Sequence, residues 1–287
     1  MENNNLNYII IGLCVYNNEF GLPRVLENIK KMNVLFERIQ IIAFYDKSQD
    51  KSLQILQSFE NDNITIDIII NENEKSRSRT ENISHARNNI IETIKKKYLD
   101  KCEYFIMMDS NEYSCIGDIN IDVLKYVFNR RDEWDAISFD REAGYYDTWA
   151  LSFDPYIYSF FHFENSKYVV EQMRKEFNNI LNDYKNNKPD TFINVYSAFN
   201  GFAIYKTSMF MNCTYSSKIK FDLFPKDIIK KQIELTKNKL VNYFNNDCEH
   251  RAFHLEAIKK NGARIMVSPL SIFYKLPVRN PNLRGPA

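Results

Sequence analysis

The run Tyr104 to Tyr113, YFIMMDSNEY, constrains this chain more than any other stretch. Five apolar residues, Tyr104 to Met108, read as a buried strand, and polarity switches at once at Asp109, Ser110, Asn111 and Glu112. In an open α/β sheet the ligand crevice lies beyond the carboxyl ends of the strands, so this polar cluster stands where chemistry is placed. Asp109 and Asn111 alternate around Ser110 and turn two oxygen ligands toward one hard divalent cation, with Glu112 as a spare carboxylate. The same residues also suit an ordinary strand-to-loop turn, so other segments must decide.

The segments before it repeat one pattern. Tyr8 to Val15 is an apolar first strand ending in Tyr16-Asn17-Asn18-Glu19, and Leu22, Val25, Leu26 and Ile29 follow at helical spacing. Ile39 to Tyr45 gives a second strand that ends at Asp46, Ser48 to Phe59 a second helix, and Ile64 to Ile70 a third strand. Asn71 to Thr80 is a charged loop. A helix from Ile83 to Tyr98 follows, with Ile83, Ala86, Ile90 and Ile94 as its buried stripe. Arg79, Arg87 and Asn88 stand just before the strand that delivers Asp109, and thus line the same crevice. Arginine there suits a phosphate or fixes a carboxylate.

After Asp109 the spacing predicts a helix over Ile119 to Phe128 and a strand over Trp134 to Phe139 reaching Asp140. Arg141 to Ser152, REAGYYDTWALS, interleaves rings and polar groups without periodicity, a mixture that suits a partly apolar, hydroxyl-rich ligand as well as a packed loop. Ser166 to Tyr184 is an amphipathic helix. Val195 to Tyr205 is apolar around a polar break at Asn200-Gly201, where glycine permits a tight bend or close ligand approach. A long helix is expected from Lys226 to about Phe244. Beyond it Asp247, Cys248, Glu249, His250, Arg251 and His254 gather, and on a helix His250 and His254 share a face. They lack the HExxH order of metalloproteases. Two readings stand: one His completes the oxygen-rich site begun by Asp109, or both are satisfied structural residues behind a capping Asp247. Arg264 to Val267 is a last strand ended by Pro269, and the tail from Pro277 is a lid or a frayed end.

Composition excludes several classes. With 38 basic against 37 acidic residues and a net charge of +1, no nucleic-acid footprint is present. Five scattered cysteines lack metal-ligand spacing and fit a reduced compartment. The first residues lack a basic n-region, and no apolar run of about 18 residues occurs, so neither a signal peptide nor a membrane span is expected.

Together, Arg79 with Ala86-Arg87-Asn88, the strand ending in Asp109, DAISFDREAGYYDTWALS from Asp135, VYSAFNGFAIYKTSMF from Val195, and Cys248-Glu249-His250 with the distal Val267 to Pro269 resemble a GT-A-fold glycosyltransferase. The nearest likeness is to the fungal capsule-associated alpha-1,3-mannosyltransferase group and related large-virus or protist sequences. The resemblance implies an α/β fold with a mostly parallel central sheet flanked by helices. It divides the chain into a catalytic domain over 1–275, with a nucleotide-binding part at 8–140 and an acceptor and metal-completing part at 141–275, and a tail at 276–287.

The activity implied is sugar transfer from a UDP- or GDP-linked donor to a glycan or other hydroxyl acceptor. Mn²⁺ or Mg²⁺ would be held by Asp109, Asn111 and His250. Many such enzymes carry a second Asp where this chain has Asn111, a weaker ligand for a hard cation. Arg79, Arg87 and Asn88 would meet the nucleotide or phosphates, and Tyr146, Trp149, Asn200 and Gly201 the sugars. Asp147 or Glu249 would be the base of an inverting reaction or would orient the acceptor in a retaining one, which the resemblance favours. The implied setting is the cytoplasm, the host's if the protein is viral, with a homodimer or a transferase complex as partner. The competing readings are an inactive GT-A-like protein that binds glycan or a protein partner, and a metal-dependent phosphohydrolase or nucleotidyltransferase built on Asp109, His250 and His254.

Overall fold

The computed structural model describes residues 6–274, apart from 112, 113, 115, 116, 143 and 242–245. Glu112, Phe244 and the tail, on which the sequence placed expectations, lie outside the described residues.

The chain begins with β1 (Leu6–Val15), α1 (Leu22–Lys31), β2 (Phe36–Tyr45), α2 (Ser52–Gln57), β3 (Ile64–Ile70), α3 (Arg79–Lys97) and β4 (Tyr104–Asp109). Each strand is followed by a crossover, so β1, β2, β3 and β4 pair in parallel. There follow β5 (Asp118–Ile119), α4 (Ile121–Phe128), β6 (Ala136–Asp140), α5 (Ser166–Asn187), β7 (Ile193–Val195), β8 (Phe202–Lys206) and α6 (Thr207–Phe210). The last elements are α7 (Lys226–Thr236), α8 (Glu249–Asn261), β9 (Ile265–Ser271) and β10 (Phe273–Tyr274).

One eight-stranded sheet in the order β3-β2-β1-β4-β8-β6-β9-β7 crosses both halves of the chain, while β5 and β10 form a separate ribbon. Only β8 and β7 run against the other strands of the large sheet. The expected α/β architecture, mostly parallel and flanked by helices, is therefore the one observed.

Alternation along the strands divides the core in two. Ile9, Ile11 and Leu13 of β1 pack with Leu22 and Val25 of α1, Leu56 of α2 and Leu124 of α4. On the opposite face Ile10, Phe105 and Met107 meet Ile90 of α3, Phe177 of α5 and Phe253 of α8. Gly12 lies on that second face, where a Cβ would come within 2.7 Å of the Met107 sulfur and 2.8 Å of Ile90. Glycine here lets α3 lie close on β1.

Three expectations change. The helix from Lys226 stops at Thr236, because Lys237 takes a left-handed conformation (φ 51°) that closes it. The second helix starts at Ser52 rather than Ser48, whose hydroxyl instead accepts from the Asn17 N–H (3.0 Å). Pro269 does not end the last strand. It lies beyond the residues that β7 pairs, so its missing N–H breaks no ladder bond on that side, and β9 runs on to set Ser271 beside Asp140.

Candidate active site

Strand order reverses between β1 and β4, and open α/β sheets bind ligands at the carboxyl ends of strands at such a point. Ser110 ties the two ends together: its hydroxyl donates to the Cys14 carbonyl (2.6 Å) and accepts from the Asn18 amide. Asp109, last residue of β4, donates its backbone N–H to the Gly201 carbonyl (2.9 Å), so the turn into β8 sets its place. Gly201 has φ +84°, and a Cβ there would stand 2.8 Å from the Tyr146 hydroxyl and 2.9 Å from the Ser114 carbonyl. The close approach seen in the sequence is thus between parts of the protein itself.

Arg87 of α3 is buried and holds two carboxylates. Its guanidinium lies 3.2 Å from Asp109 Oδ1 and pairs with Glu249 Oε1 at the start of α8. The planar cation also lies over the rings of Phe199 (4.6 Å) and Tyr215 (5.7 Å). Burial opposes its charge, but Glu249 and Asp109 more than offset this and hold the guanidinium above its ordinary pKa. Arg87 therefore joins the two halves of the chain at the crevice.

Asp147 completes the acidic cluster. Its Oδ1 accepts from the Ala150 N–H (3.2 Å), and its own N–H donates to Asn200 Oδ1 (3.3 Å). Burial pushes its pKa up to about 6, and the charges of Asp109 and Glu249 add to this against the Ala150 hydrogen bond and Arg87. A carboxyl with that pKa exchanges a proton near neutrality.

The loop bearing Asp147 is fastened from behind by Arg251, which sequence reasoning left without a role. This side chain is 1% exposed. It pairs with Asp247 (2.9 Å) and donates to the carbonyls of Trp149 (2.5 Å) and Leu151 (3.2 Å) and to the Ser152 hydroxyl. The four-residue spacing of Asp247 and Arg251 across the start of α8 was the available signal, but the target of Arg251 lies a hundred residues away in the sequence.

The other expected site residues divide into those near the crevice and those that build it. Asn200, at φ 55°, accepts from the Tyr146 and Asp147 N–H groups and donates to the Phe139 carbonyl (2.9 Å), so its amide shapes the loop. Asn88 spends both ends of its amide on the Tyr215 backbone at 2.9 Å. Trp149 packs edge-on against Phe161 and Tyr146 lies beneath the Arg141 guanidinium. Arg79 is exposed at the start of α3, whose Ser78 cap accepts from the Glu81 N–H.

The cation ligands expected from the sequence each have a partner within the protein. Asn111 Oδ1 accepts from the Ser114 N–H (2.8 Å), and one oxygen of Asp109 and one of Glu249 are shared by Arg87. His250 is 1% exposed and stacks on Phe199 at 3.9 Å, with Nε2 3.7 Å from Glu249 Oε1. Among the described residues, no three His, Cys, Asp or Glu side chains form a group able to hold a metal ion. His254 sits behind it, with Nδ1 2.9 Å from the Ser197 hydroxyl and Nε2 3.1 Å from that of Tyr205. Burial pushes His254 down to about 3, with Arg87 and Arg251 adding to the shift, and also lowers His250 well below its ordinary value, with Arg87 and His254 adding to that shift. Both rings are neutral core residues in this arrangement.

Residues 10–110 match the family model described as glycosyl transferase family 2. The fold is α/β, with a large, mostly parallel central sheet flanked by helices. The match runs from within β1 to one residue past Asp109, about a third of the chain, and covers the strands that form the crevice. Among solved structures the chain is similar to S. aureus TarS 1-349 in complex with UDP, with TM-score 0.47, 15% identity, and coverage of 94% of this chain and 60% of that one. It is also similar to S. aureus TarS 1-349 in complex with UDP-GlcNAc, with TM-score 0.46, 15% identity, and coverage of 96% and 60%. The chain spans about 60% of the length of those structures. No curated protein matches this sequence. No helix among the described residues is long and apolar enough to cross a membrane.

Proposed function

We propose that this protein transfers a sugar from a nucleotide-diphospho-sugar to a hydroxyl acceptor, with Asp147 as general base. The observation that carries this reading is Asp147, pushed up to about 6, beside the Asp109-Arg87-Glu249 cluster at the reversal of strand order. As base, Asp147 accepts the acceptor's hydroxyl proton while the acceptor oxygen bonds to the donor's anomeric carbon. The bond from that carbon to the diphosphate oxygen breaks, and the nucleoside diphosphate leaves with the electron pair. This favours an inverting reaction over the retaining one implied by the family resemblance.

The remaining roles follow from placement. Asp109 is the partly exposed carboxylate of the cluster and meets the donor. Glu249 is locked by Arg87 and positions rather than exchanges protons. Arg79, exposed at the N-terminus of α3, is the cation open to the diphosphate, with the helix dipole behind it. Mn²⁺ or Mg²⁺ carries no step in this reading, because Arg87 already engages Asp109 and Glu249. GDP-mannose is the donor suggested by the resemblance, and UDP-linked sugars compete with it.

The test is incubation with UDP- and GDP-sugars, with Mn²⁺, Mg²⁺ or chelator, reading released nucleoside diphosphate and nucleotide-induced thermal stabilisation. Selective stabilisation with release from one donor is expected. Glycan binding without any nucleotide response would instead favour an inactive glycan-binding protein.

A further inference from the structure

A second polar cluster lies on the same edge of the sheet, outside the Asp109 crevice. The strand ends run in the order Asp109 on β4, Gly201 before β8, Asp140 on β6 and Ser271 on β9. Asp140 is thus two strand spacings from Asp109, roughly 10 Å, or about two linked pyranose units. It also faces the same side. Arg87 of α3 reaches Asp109 and Lys185 of α5 reaches Asp140, and both helices cover the face that contains Ile10 and Met107.

Asp140 is 1% exposed, and its Oδ2 accepts from Lys185 Nζ at 2.5 Å. Its Oδ1 is buried and has no hydrogen-bond partner among the described residues. Buried acceptors without a donor are uncommon in folded proteins and mark a place where a ligand group or water belongs. Burial raises the Asp140 pKa against the pull of Lys185 and of the Arg141 backbone N–H and guanidinium.

The cavity beside it has a volume of about 440 Å³ and is lined by Asp140, Arg141, Glu142, Lys185, Pro269 and Leu270, among others. Two carboxylates and two cations face it, so an anion meets Asp140 and Glu142 while a cation meets Arg141 and Lys185. A neutral polyol satisfies both, because its hydroxyls donate to the carboxylates and accept from the cations. Pro269 and Leu270 supply an apolar wall against which the C–H face of a sugar ring packs. Arg141 then links this cavity to the crevice, with its guanidinium 5.3 Å from the centre of the Tyr146 ring next to Gly201.

We propose that the cavity between Asp140, Lys185 and Leu270 binds an uncharged sugar unit of the acceptor, remote from the bond that forms. This rests on the glycosyltransferase reading above. It assigns acceptor recognition to β6, β9 and α5, apart from the nucleotide-facing strands.

The experiment is saturation-transfer NMR with methyl pyranosides of mannose, glucose and galactose and their disaccharides, run beside thermal-shift titrations with UDP and GDP. Leu270→Trp fills the cavity, Asp140→Asn removes its buried charge, and Lys185→Met, at a side chain that is 42% exposed, removes the cation paired with Asp140, with circular dichroism checking the fold of each variant. One or more glycosides should bind the wild-type chain. Leu270→Trp should abolish the signal, and Lys185→Met and Asp140→Asn should weaken it several-fold, with nucleotide-induced stabilisation unchanged in all three. Glycoside binding undiminished in Leu270→Trp and Lys185→Met, or no glycoside bound by the wild type, overturns the assignment. Glycoside binding that the variants abolish in a chain with no nucleotide response supports the cavity and defeats the transferase reading alone.

Discussion

Arg87 Nη2 lies 3.2 Å from Asp109 Oδ1 while the same guanidinium pairs with Glu249, so one buried cation orients carboxylates from both halves of the chain. Removing it leaves Glu249 buried without its counter-charge. Arg87→Met is expected to lower stability by about 3–5 kcal/mol, measured by urea unfolding. It also frees Asp109 and Glu249 beside the His250 ring. A Mn²⁺-dependent rise in Tm should therefore appear in Arg87→Met and be absent from the wild type without nucleotide.

Asp109→Ala removes the carboxylate at the mouth of the crevice while leaving the backbone bond to Gly201 in place. Nucleoside diphosphate release should fall by roughly 10²-fold or more, with circular dichroism unchanged. Unchanged release would remove Asp109 from the site.

The Asp147 pKa of about 6 sets a pH dependence. A base works deprotonated, so kcat/KM should climb as pH rises through about 6 and level off above it. Asp147→Asn should lose roughly 10²- to 10⁴-fold in rate and erase that limb. If the limb persists in the variant, the base lies elsewhere.

Arg251 tests whether the loop needs its fastening. Arg251→Met leaves Asp247 buried and unpaired and releases the carbonyls of Trp149 and Leu151. About 3–5 kcal/mol of stability should be lost, with KM for the acceptor rising more than KM for the donor. Equal changes in both would place its effect on the fold as a whole.

The buried histidines give a stability profile of opposite sense to that of Asp147. His254 is held down at about 3, so its contribution is full above the unfolded value near 6.5 and is lost as pH falls toward 3. Tm should drop across that window, and His254→Gln, which cannot gain the proton, should show a shallower drop. Asp147, whose folded pKa is raised, contributes stability that is full below about 3.8 and lost as pH rises through about 6.

Much of the fold was legible in the sequence, because apolar runs and helical stripes report burial among near neighbours. The β1-to-β4 unit, the switch of polarity at Asp109 and the positive-φ turn at Gly201 all follow from such local patterns. Strand order, however, depends on pairings between distant segments. Only after β8 enters between β4 and β6 does Gly201 meet Asp109 and Asp140 stand on the same edge. The roles of Asn88 and Asn200 were hidden for the same reason, and for Arg87 and His250 the sequence left two readings open between which only the packing chose. A side chain's polarity shows that it needs a partner, but which partner it finds is fixed by the tertiary packing that brings α3, the Asp147 loop and α8 together.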